Sequence, residues 1–145
     1  MPIKGFNIGK EASVVIVHPD FGPITFGLLT SFSAKPMNTR LTSTPITNGG
    51  KSIHRVVPTG WEGSFEIDRS DGVVDAIFQL LEDNYYGGKS ETYVLIAEVI
   101  TNPDGSIDEY RFKNCVLVPS EHGTFKADEK VTQRFDFIAT NRERA

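Results

Sequence analysis

Between Gly60 and Gly88 the chain changes its hydrophobic period once, sharply. Trp61, Gly63, Phe65 and Ile67 alternate with Glu62, Ser64, Glu66 and Asp68, the two-residue repeat of a half-buried strand. From residue 70 onward the repeat becomes helical, with Val73, Val74, Ile77, Phe78, Leu81 and Tyr85 falling on one face. Ser70 or Asp71 is positioned to accept free N–H groups of the first turn, and Asp75 adds negative charge at the positive end of the helix. Gly87 and Gly88 supply the left-handed cap and the exit.

The same reading extends to both sides. Val14 to Val17 is a β-branched run ended by Pro19. Ile24 to Ser33 is a second apolar run introduced by Gly22-Pro23, and a further strand is expected around Met37 to Leu41. Thr42 to Lys51 is polar, contains a proline and an Asn-Gly-Gly turn signal, and reads as a long loop. Lys51 to Val57 resumes extended structure, and Pro58 and Gly60 separate it from the Trp61 strand. Thr92 to Thr101 is apolar on both faces, as in a central strand. Asn102-Pro103-Asp104-Gly105 then turns the chain into Ile107 to Val118, its hairpin partner. Val131 to Thr140 closes the pattern, with Phe135 and Phe137 on one face and Arg134 and Asp136 on the other. Roughly seven to nine strands and one helix define a mainly β fold: an antiparallel β-sandwich or partly closed β-barrel with the helix packed on its flank. The expected core is Trp61, Phe65, Ile77, Phe78, Leu81, Tyr85, Phe135 and Phe137. Exposed edges of such a sheet recruit other chains unless they are blunted.

Composition narrows the class. A chain of 145 residues with 39% hydrophobic and 23% charged residues suits one folded domain, residues 1–145. It has no apolar window long enough for a membrane helix, and its first residues lack the apolar region of a signal peptide, so a soluble, cytosolic chain is expected. The single cysteine, Cys115, excludes an internal disulfide and sits in YRFKNCVLV as a small strand residue. The net charge of −4 is unevenly placed: Lys4, Lys10, Lys35, Arg40, Lys51 and Arg55 against Glu11 and Asp20 give residues 1–60 a charge of +4, leaving −8 for the rest. An acidic domain of this kind lacks the footprint of a duplex-binding protein. The split suits head-to-tail contacts between copies, which stack when the rotation between copies does not close.

Chemistry is sparse. His18, His54 and His122 are scattered, with no metal-binding spacing, and each reads as a solvated or hydrogen-bonded histidine. Asp104 to Glu109 lacks the ligand spacing of a calcium loop. No Gly-x-Ser-x-Gly elbow is present, and Gly87-Gly88-Lys89-Ser90 follows a helix where a phosphate loop must open one. No catalytic residues, metal or cofactor are expected.

The wording of the central segment adds a resemblance. The strand Gly60-Trp61-Glu62-Gly63-Ser64-Phe65-Glu66-Ile67-Asp68-Arg69, followed by a single helix ending in Asn84-Tyr85-Tyr86 and glycines, resembles bacteriophage tail tube proteins. So does the stretch Phe125 to Val131 leading into a strand that closes at Ala139-Thr140-Asn141-Arg142. The resemblance implies a structural subunit, not an enzyme, whose hexameric rings stack into a hollow cylinder that conducts DNA during genome delivery. It implies sheath, baseplate and tail-terminator partners, and residence in the virion tail after assembly in the host cytoplasm. The absence of an appended immunoglobulin-like domain favours the contractile-tail type.

On this resemblance, Thr42, Ser43, Thr44, Pro45, Ile46, Thr47, Asn48, Gly49, Gly50 and Lys51 match the loop that stacks one ring on the next. Met1 to Lys10 is a second candidate for such contacts. Glu62, Glu66 and Asp68 are candidates for an acidic lumen wall past which DNA slides without specific binding, or for an outer face that meets a sheath. Two other readings stand beside this one. One is a monomeric β-barrel binding a small ligand or carbohydrate through Tyr86, Tyr93 and Tyr110; the other is the tube of a contractile bacteriocin or type VI secretion system.

Overall fold

The computed structural model describes residues 5–145 apart from 25, 27 and 91. Eight strands and one α-helix succeed one another as β1 (Ala12–His18), β2 (Gly22–Ile24), β3 (Leu29–Ser43), β4 (Ile53–Asp68), α1 (Val73–Tyr86), β5 (Val94–Thr101), β6 (Ile107–Glu121), β7 (Thr132–Ala139) and β8 (Asn141–Arg144). Neighbours along the sheet follow the order β2-β1-β5-β6-β7-β4-β3, with β8 also against β6, and every pair is antiparallel. The path does not close, so β2 and β3 are its two ends.

The long strand β6 belongs to two layers. Its first half pairs with β5 on one side and β8 on the other, and its second half pairs with β7. The switch occurs at Asn114, whose φ of 52° is left-handed, a conformation asparagine tolerates better than most residues. Thr140 donates its N–H to the Lys113 carbonyl (3.0 Å) at the same corner, where β7 gives way to β8. The result is a sandwich whose layers share β6.

Between the layers lies an aromatic core. Phe65 and Phe135 stack at 4.8 Å between ring centroids, Phe32 lies parallel to Phe137 at 5.8 Å, and Phe112 meets Phe137 edge-on at 5.6 Å. Such pairs contribute about 0.5–1.5 kcal/mol each beyond the area they bury. Gly63 sits beneath them because nothing larger fits. A Cβ there would meet the Ser33 carbonyl oxygen and lie 2.6 Å from the Phe137 ring.

Helix α1 crosses from one layer to the other and buries Val74 and Ile77, with Phe78 and Leu81 half-buried against the core. Its first turn is fastened by Asp75, which accepts hydrogen bonds from Arg69 Nη2 (2.8 Å) and from the fully buried Gln133 Nε2 (2.6 Å). The hydrogen bond from Arg69, then that from Gln133, hold the Asp75 carboxyl below its ordinary pKa. Asp71, not Ser70, reaches the free N–H of Val73 (3.1 Å), and Gly72 occupies the cap position itself. At the other end Gly88 is the left-handed residue, with φ of 72°.

Several expectations change. Tyr85 is 75% exposed and does not belong to the core: it lines an open groove between α1 and β6. Trp61 is only half-buried, at the rim of the core. The apolar run from Ile24 to Ser33 divides: β2 pairs with β1 in one layer and β3 begins in the other. Of the two readings for His18, solvated or hydrogen-bonded, the second holds: it is buried and its Nδ1 accepts the Asp20 N–H (3.0 Å). Cys115 is, as expected, a small residue packed in a strand: it is fully buried in β6, and desolvation pushes its thiol up to about 12, which makes it inert.

Candidate assembly interface

Two proline-punctuated segments of the sequence join here into one long ribbon. β3 and β4 pair along their whole length, from Leu29↔Ile67 to Ser43↔Ile53, with register shifts between Leu29 and Ser31 and between Met37 and Asn38. Pro36 is accommodated because β3 is an end strand with no neighbour beyond it. Pro58 falls beside a register shift between Met37 and Asn38. Gly60 completes that bend: its φ is 136°, and a Cβ would come within 2.6 Å of the Ala139 carbonyl oxygen. Beyond it the ribbon leaves the sandwich.

From Asn38 to Thr59 the exposed side chains alternate around this free arm. Leu41, Ile53 and Val57 share one face with exposures of 52%, 52% and 42%, and Val56 lies on the other. Within the arm, Thr42 Oγ1 bonds His54 Nδ1 (3.1 Å) and Thr44 Oγ1 bonds Ser52 Oγ (2.9 Å). The expected loop from Thr42 to Lys51 is therefore shorter at its start: Thr42 and Ser43 belong to β3. A 3₁₀ turn at Ile46–Asn48 and the left-handed Gly49 (φ 64°) close the tip. Asn48 Nδ2 bonds the Lys51 carbonyl (3.3 Å), and Ile46 stands 95% exposed at the apex.

A pairing that sequence reasoning missed supports the base of the arm. Arg142 in β8 lies with its guanidinium 4.2 Å from both the Trp61 and Tyr110 ring centroids. Glu98 is the nearby acid; burial raises its pKa and Arg142 partly offsets that. Arg142 was legible only as part of a closing strand, since its two ring partners come from β4 and β6.

Glu62, Glu66 and Asp68 do share the outward face of β4, opposite the core. They do not form a bare acidic stripe. Lys35 pairs with Glu62 (3.0 Å), Lys130 with Asp68 (3.5 Å), and Arg134 with Asp136 (3.1 Å) on the same face. Lys35, Glu62, Arg134 and Asp136 line a depression of about 510 Å³ together with Ser33 and Ser64; the Lys130–Asp68 pair lies outside it. Glu66 is left over, so the face carries a small acidic excess with its cations neutralised.

Of the N-terminal candidates, residues 1–4 lie outside the described residues. Phe6 and Ile8 are exposed ahead of a short 3₁₀ turn at Gly9–Glu11. No helix among the described residues is long and apolar enough to cross a membrane.

No family model matches the sequence, and no curated protein does. The fold is another matter. The structure is similar to a chain in the tube-terminating cap of the anti-feeding prophage, with a TM-score of 0.66 and 12% identity over 100% of this chain and 94% of that one. A chain of an extracellular contractile injection system, in the extended sheath–tube complex, matches with a TM-score of 0.61 and 12% identity over 92% and 88% of the two chains. The present chain thus has a contractile-tail tube-like fold. A chain of the anti-feeding prophage baseplate matches over 97% of this chain and 96% of its own length, with a TM-score of 0.61 and 8% identity.

Proposed function

We propose that the chain is a non-enzymatic structural subunit of a contractile-tail particle, forming hexameric rings that stack into a hollow tube. The observation that carries this reading is the Asn38–Thr59 arm. Among the described residues its large apolar side chains stay about half exposed or more, Ile46 almost wholly so, and a two-stranded ribbon is marginal alone in water. A partner that buries it is what makes such a feature stable, and a repeating heterologous contact makes a stack. The free ends of the sheet, β2 and β3, are the edges through which neighbours within a ring would pair.

The outward face of β4 is assigned to the lumen. Lys35, Lys130 and Arg134 each have a carboxylate within 4 Å, so among the described residues this wall offers DNA phosphates no free cation to hold. Glu66 adds mild repulsion. DNA passes along such a surface without specific binding, and sheath, baseplate and terminator proteins complete the particle. The likeness to chains of a cap and a baseplate supports a second reading, a ring that ends or begins the tube rather than repeating along it.

Electron microscopy of the untagged protein and of a variant lacking Thr47 to Gly50 tests both. Long hollow cylinders from the parent, and folded but unstacked subunits from the deletion variant, are the expected result. Isolated single rings from the parent would move the assignment to an end ring. A monomer at every concentration would return the chain to the ligand-binding reading, and normal tubes from the deletion variant would remove the stacking role of the arm.

A further inference from the structure

The arm is basic as well as apolar. Between Asn38 and Thr59 it carries Arg40, Lys51 and Arg55 and no Asp or Glu. Helix α1 is its opposite, with Asp75, Glu82 and Asp83 and no Lys or Arg. Beside the second half of that helix runs an open groove of about 630 Å³ against β6, floored by Phe78, Leu81 and Pro119 and rimmed by Glu82, Tyr86 and Glu121. Tyr86 is 79% exposed on a subunit by itself. Among the described residues, Arg40, Lys51, Arg55, Glu82 and Glu121 have no ion-pair partner within the chain. Both surfaces thus have apolar centres, and their unpaired charges are of opposite sign.

Their positions are also complementary. The arm leaves the sandwich at the level of Trp61↔Ala139, whereas Pro119 in the groove pairs with Phe135, which pairs with Phe65. Four strand residues separate these levels, ~13 Å along the strands, and the arm extends away from the groove. An arm cannot fold back onto its own groove, yet a copy translated along the strand direction can receive it. The contact is heterologous and repeats without closing.

Resting on the stacking reading above, we propose that the groove between α1 and the second half of β6 is the receptor for the arm of a second copy of this chain. Ile46 and the Leu41–Ile53–Val57 face supply the apolar contact, and Lys51 and Arg55 meet Glu82 and Glu121.

Charge exchange tests this directly. One variant carries Lys51→Glu and Arg55→Glu, a second Glu82→Lys and Glu121→Lys, and a third all four; circular dichroism establishes that each is folded. The readout is the protein concentration at which half of the material sediments as stacked particles. Each double reversal is expected to raise it about tenfold or more, the scale of 1.4 kcal/mol per contact, and the fourfold variant to return close to the parent. If the groove reversal stacks like the parent while the Thr47–Gly50 deletion does not, the arm stacks elsewhere and the groove meets another chain, such as a sheath subunit; the inference falls and the stacking reading stands. Failure of the fourfold variant to recover overturns it as well. A parent that never stacks removes the stacking reading itself, and this inference with it.

Discussion

Burial takes the His18 imidazole, at the end of β1, out of water, with the Phe21 ring 5.1 Å away. Its Nδ1 accepts the Asp20 N–H, so the ring proton resides on Nε2, which has no partner among the described residues. A second proton would have to enter at Nδ1, breaking that bond and placing a charge in apolar surroundings. Desolvation accordingly lowers the pKa of His18 from 6.5, and the nearby Asp20 charge opposes this only in part. The folded state therefore prefers neutral His18 more than the unfolded chain does. Stability from this group is complete above pH 6.5, declines as pH falls from 6.5 toward the lowered folded value, and levels off below it. Urea unfolding between pH 8 and pH 5 should show that decline in the parent and a shallower one in His18→Gln. Equal slopes in the two proteins would mean that His18 is not responsible.

At the scale of elements, the fastening of α1 is the most localised dependency. Asp75 bonds Arg69 and Gln133 at once, tying the helix start to β4 and β7, and His122 lies 3.5 Å from the same carboxylate. Asp75→Ala should cost about 1 kcal/mol, a charge-assisted network discounted for its partial exposure. Its hydrogen-bonded carboxylate also has a lowered pKa, so the stability it supplies is present above its unfolded value and lost as pH falls through its folded one. Denaturant midpoints of the parent and Asp75→Ala that coincide at neutral pH would show that the network contributes nothing. The helix and the Trp61–Ile67 alternation were legible in the sequence because each obeys a local period over several residues. Gln133 was not, since a buried polar residue in a strand has no signature until its partner on another element is known. The continuity of β3 and β4 was hidden for a related reason. Pro36, Pro58 and Gly60 are breakers inside a sheet but harmless at an edge and a bend, and edge position is a property of topology. Tyr85 was misplaced because helical periodicity says which face is apolar and not how deeply each position on it is covered, and at Tyr85 the space between helix and sheet is an open groove.

The whole molecule divides into a sandwich that has a buried core and an arm that has none. The sandwich has a contiguous buried core running from Val14 to Ala139, while the arm has pairing between two strands and little else. A free two-stranded ribbon opens with little cost, because breaking it exposes almost no apolar surface that was not already exposed. Trp61 to Asp68, by contrast, lies between β3 and β7 and opens only with the core. Amide hydrogen exchange should therefore separate the two parts of one continuous strand. In the dissociated subunit, amides paired between Asn38 and Thr59 should exchange within the fast, locally opening class, and those from Phe65 to Ile67 should be protected to the level of global unfolding. On stacking, the arm amides should become protected by orders of magnitude, while Phe65 to Ile67 change little. Arm amides that are already fully protected in the subunit would mean that the ribbon needs no partner, and the physical case for an inter-subunit arm would lose its foundation. Protection that rises in the arm and around Leu81 to Tyr86 together would place both ends of the contact in one transition, since the arm and the groove would then be covered by the same event.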